Sequence, residues 1–345
     1  MKNIFINTDA KCNLSRNNFF INPKRVYGRV SLCNRLIYFI KFPFLKFGTW
    51  LGFTNIEYAF ISGDKKRLKI GNNCSTTNTL FNVASGNIII KDNTIFSHNC
   101  MLLTGTHRFY NGKRASLSKN HDFKEVPDSG RDIIIGSGCY IGSGAIFIGP
   151  VEIGDNVIID DDVVIEGYSE IGVQNHLSEG IPLHISRNSY IRSHSIFYEG
   201  SNFEEGLVTG HRVTVREKTH AGKNLQIGTL SDIQGDCIIG DYVRFHSNVH
   251  IGQKSKIGDF IWIFPYVVLT NDPHPPSNTL LGVTIEDYAV IATMSIVLPG
   301  VTVATGSLIA AHSSVVTDTE ENMLYRGSPA RKVCATSRVK LKDGS

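Results

Sequence analysis

Two polar insertions hold the side chains best suited to acid–base work. The first, at 104–131, carries His107 near its start, with His98 and Asn99 just upstream. The second, at 270–282, holds Asn271, Asp272 and His274, the last set between two prolines. Imidazole titrates near neutral pH, so it can take a proton from a reacting group and return it. A histidine in a loop is more often an ordinary surface residue, so the surrounding motif has to justify a chemical role. His211 stands in a Thr-Gly-His-Arg run and is suited to orienting a ligand or capping a corner. Basic residues gather at Arg326, Arg331 and Lys332, and in the first insertion at Lys113, Arg114, Lys119 and Lys124.

The elements that must position these residues follow from a period of six. From Ile135, every sixth residue is apolar: Ile141, Phe147, Ile153, Ile159, Ile165, Ile171 and Leu177. A second column runs from Ile185 to Leu269, with Thr209 as its one polar member. A third runs from Ile285 to Val315, and a short early one is Ile90, Phe96, Leu102. Neither a helical period nor simple strand alternation sustains such a column. It predicts an all-β fold, a left-handed parallel β-helix shaped as a triangular prism. Each hexapeptide supplies one short strand and one corner, and three make a coil. The residue after the column is often glycine, and it is expected to let the chain turn where a larger side chain has no room. The step from Leu177 to Ile185 breaks the register. We therefore expect two tandem units, 66–178 and 185–333, each with a protruding loop. An N-terminal cap over 1–65 and a tail over 334–345 complete the division.

Composition agrees. The 345-residue chain is rich in Ile and Gly, with 32 glycines, and only 19% of it is charged. Its 35 basic and 31 acidic residues leave a net charge of +4, too balanced for a dedicated nucleic-acid binder. Seven cysteines without a CxxC pair argue against a disulfide framework and for a reducing compartment. The first twenty residues lack a secretory apolar core. The apolar stretch 36–53 is broken by Lys41, Pro43, Lys46, Gly48 and Gly52, so it reads as a cap or an interfacial segment, not a membrane span. Residues 1–65 are too few for a nucleotide-binding α/β domain and show no Gly-rich phosphate loop, which sets aside a nucleotidyltransferase with a β-helix tail.

The segment from His98-Asn99 through Thr104-Gly105 to His107, followed by the hexads from Gly136 to Gly154, resembles the hexapeptide-repeat acetyltransferases, in particular those acting on sugar hydroxyls. Tyr140 stands where many members have Trp, and Gly149-Pro150-Val151 replaces Pro-Gly-Val. Residues 185–333 look like the branch that acetylates amino sugars on nucleotide carriers. The matching runs are Thr209-Gly210-His211, Leu269-Thr270-Asn271-Asp272, Leu298-Pro299-Gly300-Val301 and Gly327-Ser328-Pro329-Ala330. Ala292-Thr293-Met294 replaces the common Gly-Ala-Asn, and Ser328 replaces Asn.

The resemblance implies transfer of an acetyl group from acetyl-CoA to a hydroxyl or amine of a sugar, nucleotide sugar or surface glycan. It implies His107 as general base, with His274 a second catalytic candidate. His98, Asn99, His211, Asn271 and Asp272 would meet the acceptor. Acetyl-CoA would lie along the coils at Gly142, Ser143, Ala292 and Thr293, with Arg326, Arg331 and Lys332 near its phosphates. A homotrimer without a metal, in the cytoplasm or at the inner face of the membrane, is the matching expectation. Two alternatives stand beside it. One or both units could serve as a scaffold without catalysis. A metal-dependent hydratase of carbonic anhydrase type would need three histidines on zinc. For that, His211, His246 and His250 are available, but they fall at different places of their hexads.

Overall fold

The computed structural model describes residues 4–5, 43, 47, 60–115, 123–178, 180–276 and 278–339. Most of the expected cap, including most of 36–53, and the end of the tail lie outside the described residues. The chain divides into two compact units, Met1–Tyr168 and Ser169–Ser345. Both are left-handed parallel β-helices. Among the described residues no helix is long and apolar enough to cross a membrane.

In the first unit, three parallel sheets form the prism faces. Ile133–Ile135 pairs with Ile88–Ile90 on one side and Val151–Ile153 on the other. Tyr140–Ile141 lies between Ile95–Phe96 and Ile158–Ile159. Ile146–Ile148 lies between Met101–Leu103 and Val164–Ile165. One coil takes 18 residues here, three hexads. The 104–131 insertion stretches one step to 45. Ile4–Phe5 pairs antiparallel with Phe60–Ser62.

The second unit repeats the plan. Its faces carry outward ladders such as Gln226, Arg244 and Trp262 on one sheet and Thr214, Asp232, His250 and Val268 on another. The 270–282 insertion lengthens one step to 28. The parallel ladder ends where Leu308–Ile309 meets Met323–Gly327, which folds back antiparallel on Ala330–Ala335.

Two positions per hexad face inward. The column residue is one, and the small or β-branched residue two places before it is the other, as with Cys139, Ala145, Val151, Val157 and Val163, all buried. Thr209 also points inward, and its hydroxyl accepts the Arg192 amide at 2.9 Å, so a polar atom in the column is satisfied. Leu177 does not continue the column: it is 42% exposed, whereas Ser178 beside it is fully buried. After a register shift between Ile171 and Val173 the chain leaves the ladder, and the strand His184–Ile185 restores it.

The turning residue also differs from expectation. The left-handed corner falls three places after the column, not one. Non-glycine residues with positive φ recur there, among them Asn99, Asn156, Tyr168, Asn188, Arg212, Lys218, Tyr242, Phe260 and Tyr288. Each non-glycine corner costs about 1–3 kcal/mol, which the coils on either side must offset. The glycines beside the column are there for space. A Cβ on Gly142 would strike the backbone of Asp160 and Asp161 in the next coil, and one on Gly136 would strike Gly154.

Candidate active site

The first insertion is tied down along its length. Phe109–Tyr110 and Lys113–Arg114 form a short antiparallel ribbon. The Arg108 amide donates to the Glu125 carbonyl at 2.7 Å, and Arg131 Nε donates to the Thr104 carbonyl at 2.8 Å. Tyr110 meets Phe123 edge-on, and the Arg108 guanidinium lies over the Phe123 ring. This packing brings Glu125 beside the start of the insertion.

His107 Nδ1 lies 3.1 Å from Glu125 Oε1, and Arg114 Nε donates to the same oxygen at 2.6 Å. The Glu125 side chain is only 15% exposed, while His107 is 55% exposed. A carboxylate on Nδ1 favours the tautomer with its proton there, which leaves Nε2 as an outward acceptor. An imidazole paired with a carboxylate in this way has the geometry that a general base requires. Reading the sequence did not single out Glu125. Nearby, the Lys124 ammonium holds the Asp128 carboxyl below its usual range.

Other candidates of this unit sit apart from that network. His98 is exposed, and no hydrogen bond joins it to His107 among the described residues. Asn99 occupies a corner with φ 61°, as Asn93 and Asn156 do, so the backbone alone explains its residue type. The Ser143 hydroxyl lies 2.7 Å from that of Ser97, and its amide donates to Asp161.

In the second unit, His211 Nδ1 lies 2.9 Å from the Ser193 hydroxyl. Near the start of the insertion, the Asn271 carbonyl accepts the Leu281 amide at 2.8 Å and so closes its neck. The Asp272 carboxylate accepts the His274 amide at 3.0 Å, a local turn, and the His274 ring is exposed. Ala292 and Thr293 lie at the corner that follows Val290–Ile291, where the Ala292 amide donates to the Ile309 carbonyl and the Thr293 carbonyl accepts the His312 amide. In the terminal hairpin Arg326 pairs in register with Arg331, and Lys332 Nζ donates to Glu320 at 2.6 Å, which raises the lysine's affinity for its proton.

Two features were not expected. His250 Nδ1 lies 3.0–3.1 Å from both oxygens of Asp232, one coil below it, and Gln234 donates to the same carboxylate. Burial pushes the Asp232 carboxyl up, but the His250 and Gln234 hydrogen bonds outweigh it and the net shift is downward. On another face, a groove of about 440 Å³ is lined by Arg192, Gln226, Arg244, His246, Trp262 and Phe264. Arg244 lies 5.0 Å over the Trp262 ring, donates to Gln226 at 2.8 Å, and has no carboxylate in the groove lining. His211, His246 and His250 keep separate partners: Ser193, the Phe264 ring and Asp232. They do not converge, and among the described residues no three such side chains come together as a metal site.

Residues 132–172 match the family described as bacterial transferase hexapeptide, six repeats. That match covers a minority of the chain. The chain is 29% identical over 134 residues to the acyl-[acyl-carrier-protein]–UDP-N-acetylglucosamine O-acyltransferase of Saccharophagus degradans, covering 37% of this chain and 42% of that one. It is 24% identical over 171 residues to the bifunctional protein GlmU of Streptococcus equi subsp. zooepidemicus, covering 48% and 35%. The chain therefore spans less than half the length of these relatives. A crystal structure of UDP-N-acetylglucosamine acyltransferase from Francisella novicida aligns over 80% of this chain and 69% of that one, at 14% identity and a TM-score of 0.31.

Proposed function

We propose that this protein transfers an acyl group, acetyl from acetyl-CoA in the simplest case, to a hydroxyl or amine of a sugar or nucleotide sugar, with His107 as general base. The observation that carries the reading is the His107–Glu125 contact at 3.1 Å on an exposed imidazole. A hydroxyl is a weak nucleophile at neutral pH and needs its proton taken as it attacks. His107 Nε2 accepts that proton while the acceptor oxygen bonds to the thioester carbonyl carbon. Glu125 stabilises the imidazolium, and Arg114 holds Glu125 in place. His107 then returns the proton to the departing thiolate as the carbon–sulfur bond breaks. The name of one curated relative supports the reaction class and includes a nucleotide sugar. The Arg192–Arg244–Trp262 groove, with cations and a flat ring but no lining carboxylate, suits a phosphorylated ring-bearing group of the donor or acceptor.

Thiol release from acetyl-CoA, measured against a panel of sugars and nucleotide sugars, tests the proposal. His107→Ala should lower kcat by roughly 10²–10⁴-fold with the fold intact. Turnover equal to wild type would remove His107 from the mechanism. Light scattering checks the expected trimer.

A further inference from the structure

We propose that the second unit holds a catalytic centre of its own, with His250 as general base and Asp232 and Gln234 as its positioning residues. The inference rests on the acyl-transfer reading above and adds a second centre to it.

The His250–Asp232 pair differs from an ordinary cross-strand contact in three ways. First, the carboxylate is held from two sides, by Gln234 and by His250, so it is fixed before any ligand arrives. Second, both side chains are about one-third exposed, 38% for His250 and 33% for Asp232. They are sheltered enough to stay put and open enough to be reached. With Nδ1 facing the carboxylate, Nε2 is the nitrogen left to accept a proton.

Third, the pair stands beside the root of the second insertion. His250 is in register with Val268, on the last strand before that insertion. Two residues beyond His250 comes Gly252, and a Cβ there would lie 3.1 Å from the Cβ of Asn271, the second residue of the insertion. The absent side chain lets the chain just after His250 pack closely against the root of the insertion. Each unit thus places one imidazole, oriented by a carboxylate at Nδ1, next to its own insertion. His274 has no such orienting group on its ring among the described contacts.

The step is the one already written for the first unit. His250 Nε2 takes the proton of an acceptor hydroxyl or amine as that atom bonds to the thioester carbonyl carbon. The carbon–sulfur bond breaks, and the proton leaves with the thiol.

The experiment uses the full chain and thiol release from acetyl-CoA, with His107→Ala as the background that silences the first centre. We expect residual turnover on at least one sugar or nucleotide-sugar acceptor. Adding His250→Ala or the closer mimic His250→Asn should lower it roughly 10²-fold. Adding Asp232→Asn should lower kcat with KM unchanged, and Asp232→Glu should recover part of the loss. A purely structural role would show instead in the thermal melting of these variants. Residual turnover indifferent to His250 overturns the second centre. So does a His107→Ala protein without turnover when wild type is active, and the first-unit reading then survives. Wild type inactive on every acceptor overturns both.

Discussion

Glu125 Oε1 is shared by His107 Nδ1 at 3.1 Å and Arg114 Nε at 2.6 Å, so one partly buried carboxylate oxygen links an imidazole to a guanidinium. The arrangement makes Glu125 a positioning group whose charge matters more than its shape. Glu125→Gln keeps the volume but replaces an anion by a neutral amide that can present its N–H₂ to the ring. We expect kcat to fall at least tenfold with KM little changed, because the imidazolium loses its counter-charge only as it forms. Arg114→Ala should show a smaller loss in the same direction. Steady-state kinetics on both variants checks this.

Gly142 is a test of the coil contact. Its added Cβ would fall on backbone atoms of Asp160 and Asp161, which cannot swing aside as a side chain can. Gly142→Ala should destabilise the protein by about 1–3 kcal/mol, read as a lowered denaturation midpoint. Gly112→Ala serves as a contrast. Nothing lies within 4 Å of its Cβ position, and only its φ of 72° opposes the change.

Tyr242, Phe260 and Tyr288 stack face to face at one corner, with centroids 5.1 and 5.2 Å apart and planes within 3° of parallel. All three have left-handed backbone. Phe260→Ala leaves a non-glycine residue in that conformation, so the strain stays while two ring contacts disappear. The expected cost is about 1–3 kcal/mol from the two contacts. A melting temperature equal to wild type would show that the stack is only a consequence of coil spacing.

Much of this was legible in the sequence, and the exceptions are instructive. The hexad column located the strands from Ile133 onward because, outside the junction near 171–185 and the 270–282 insertion, those coils hold 18 residues each. It faltered earlier, where Asn72 and Asp92 bond across a coil of 20 and Leu80 pairs with Met101 one residue further on. The extra residues hide Ile61 and Phe81 from a period of six, although both are buried. His107 was found from its motif. Glu125 was not, because no repeat relates positions inside an insertion and only the folded loop brings the two together. Asp232 and His250 lie one coil apart, so their meeting could be read from the 18-residue step. His250 was considered as a metal ligand alongside His211 and His246, which hid its nearer partner.

The cysteines offer a check on burial. Removal from water pushes the thiols of Cys100 and Cys237 up to about 12 and that of Cys139 up to about 11. The thiolate is the reactive form, so these three should resist alkylation in the native protein at pH 8. Cys334, only partly buried in the terminal hairpin, should be modified before them. Mass spectrometry after brief iodoacetamide treatment, with an unfolded control, gives the order. Rapid labelling of Cys139 would mean that the coils open far more readily than their packing suggests.

The corner position has a consequence for how such a molecule can change. Its burden falls on the backbone, while its side chain belongs neither to the interior nor to the hydrogen-bonded faces. Arg212, Lys218, Tyr242 and Phe260 all fill the same kind of site. A substitution there alters the outer edge and leaves the interior untouched. The three edges are therefore strips on which recognition can be rewritten letter by letter, while the hydrophobic grammar inside stays the same.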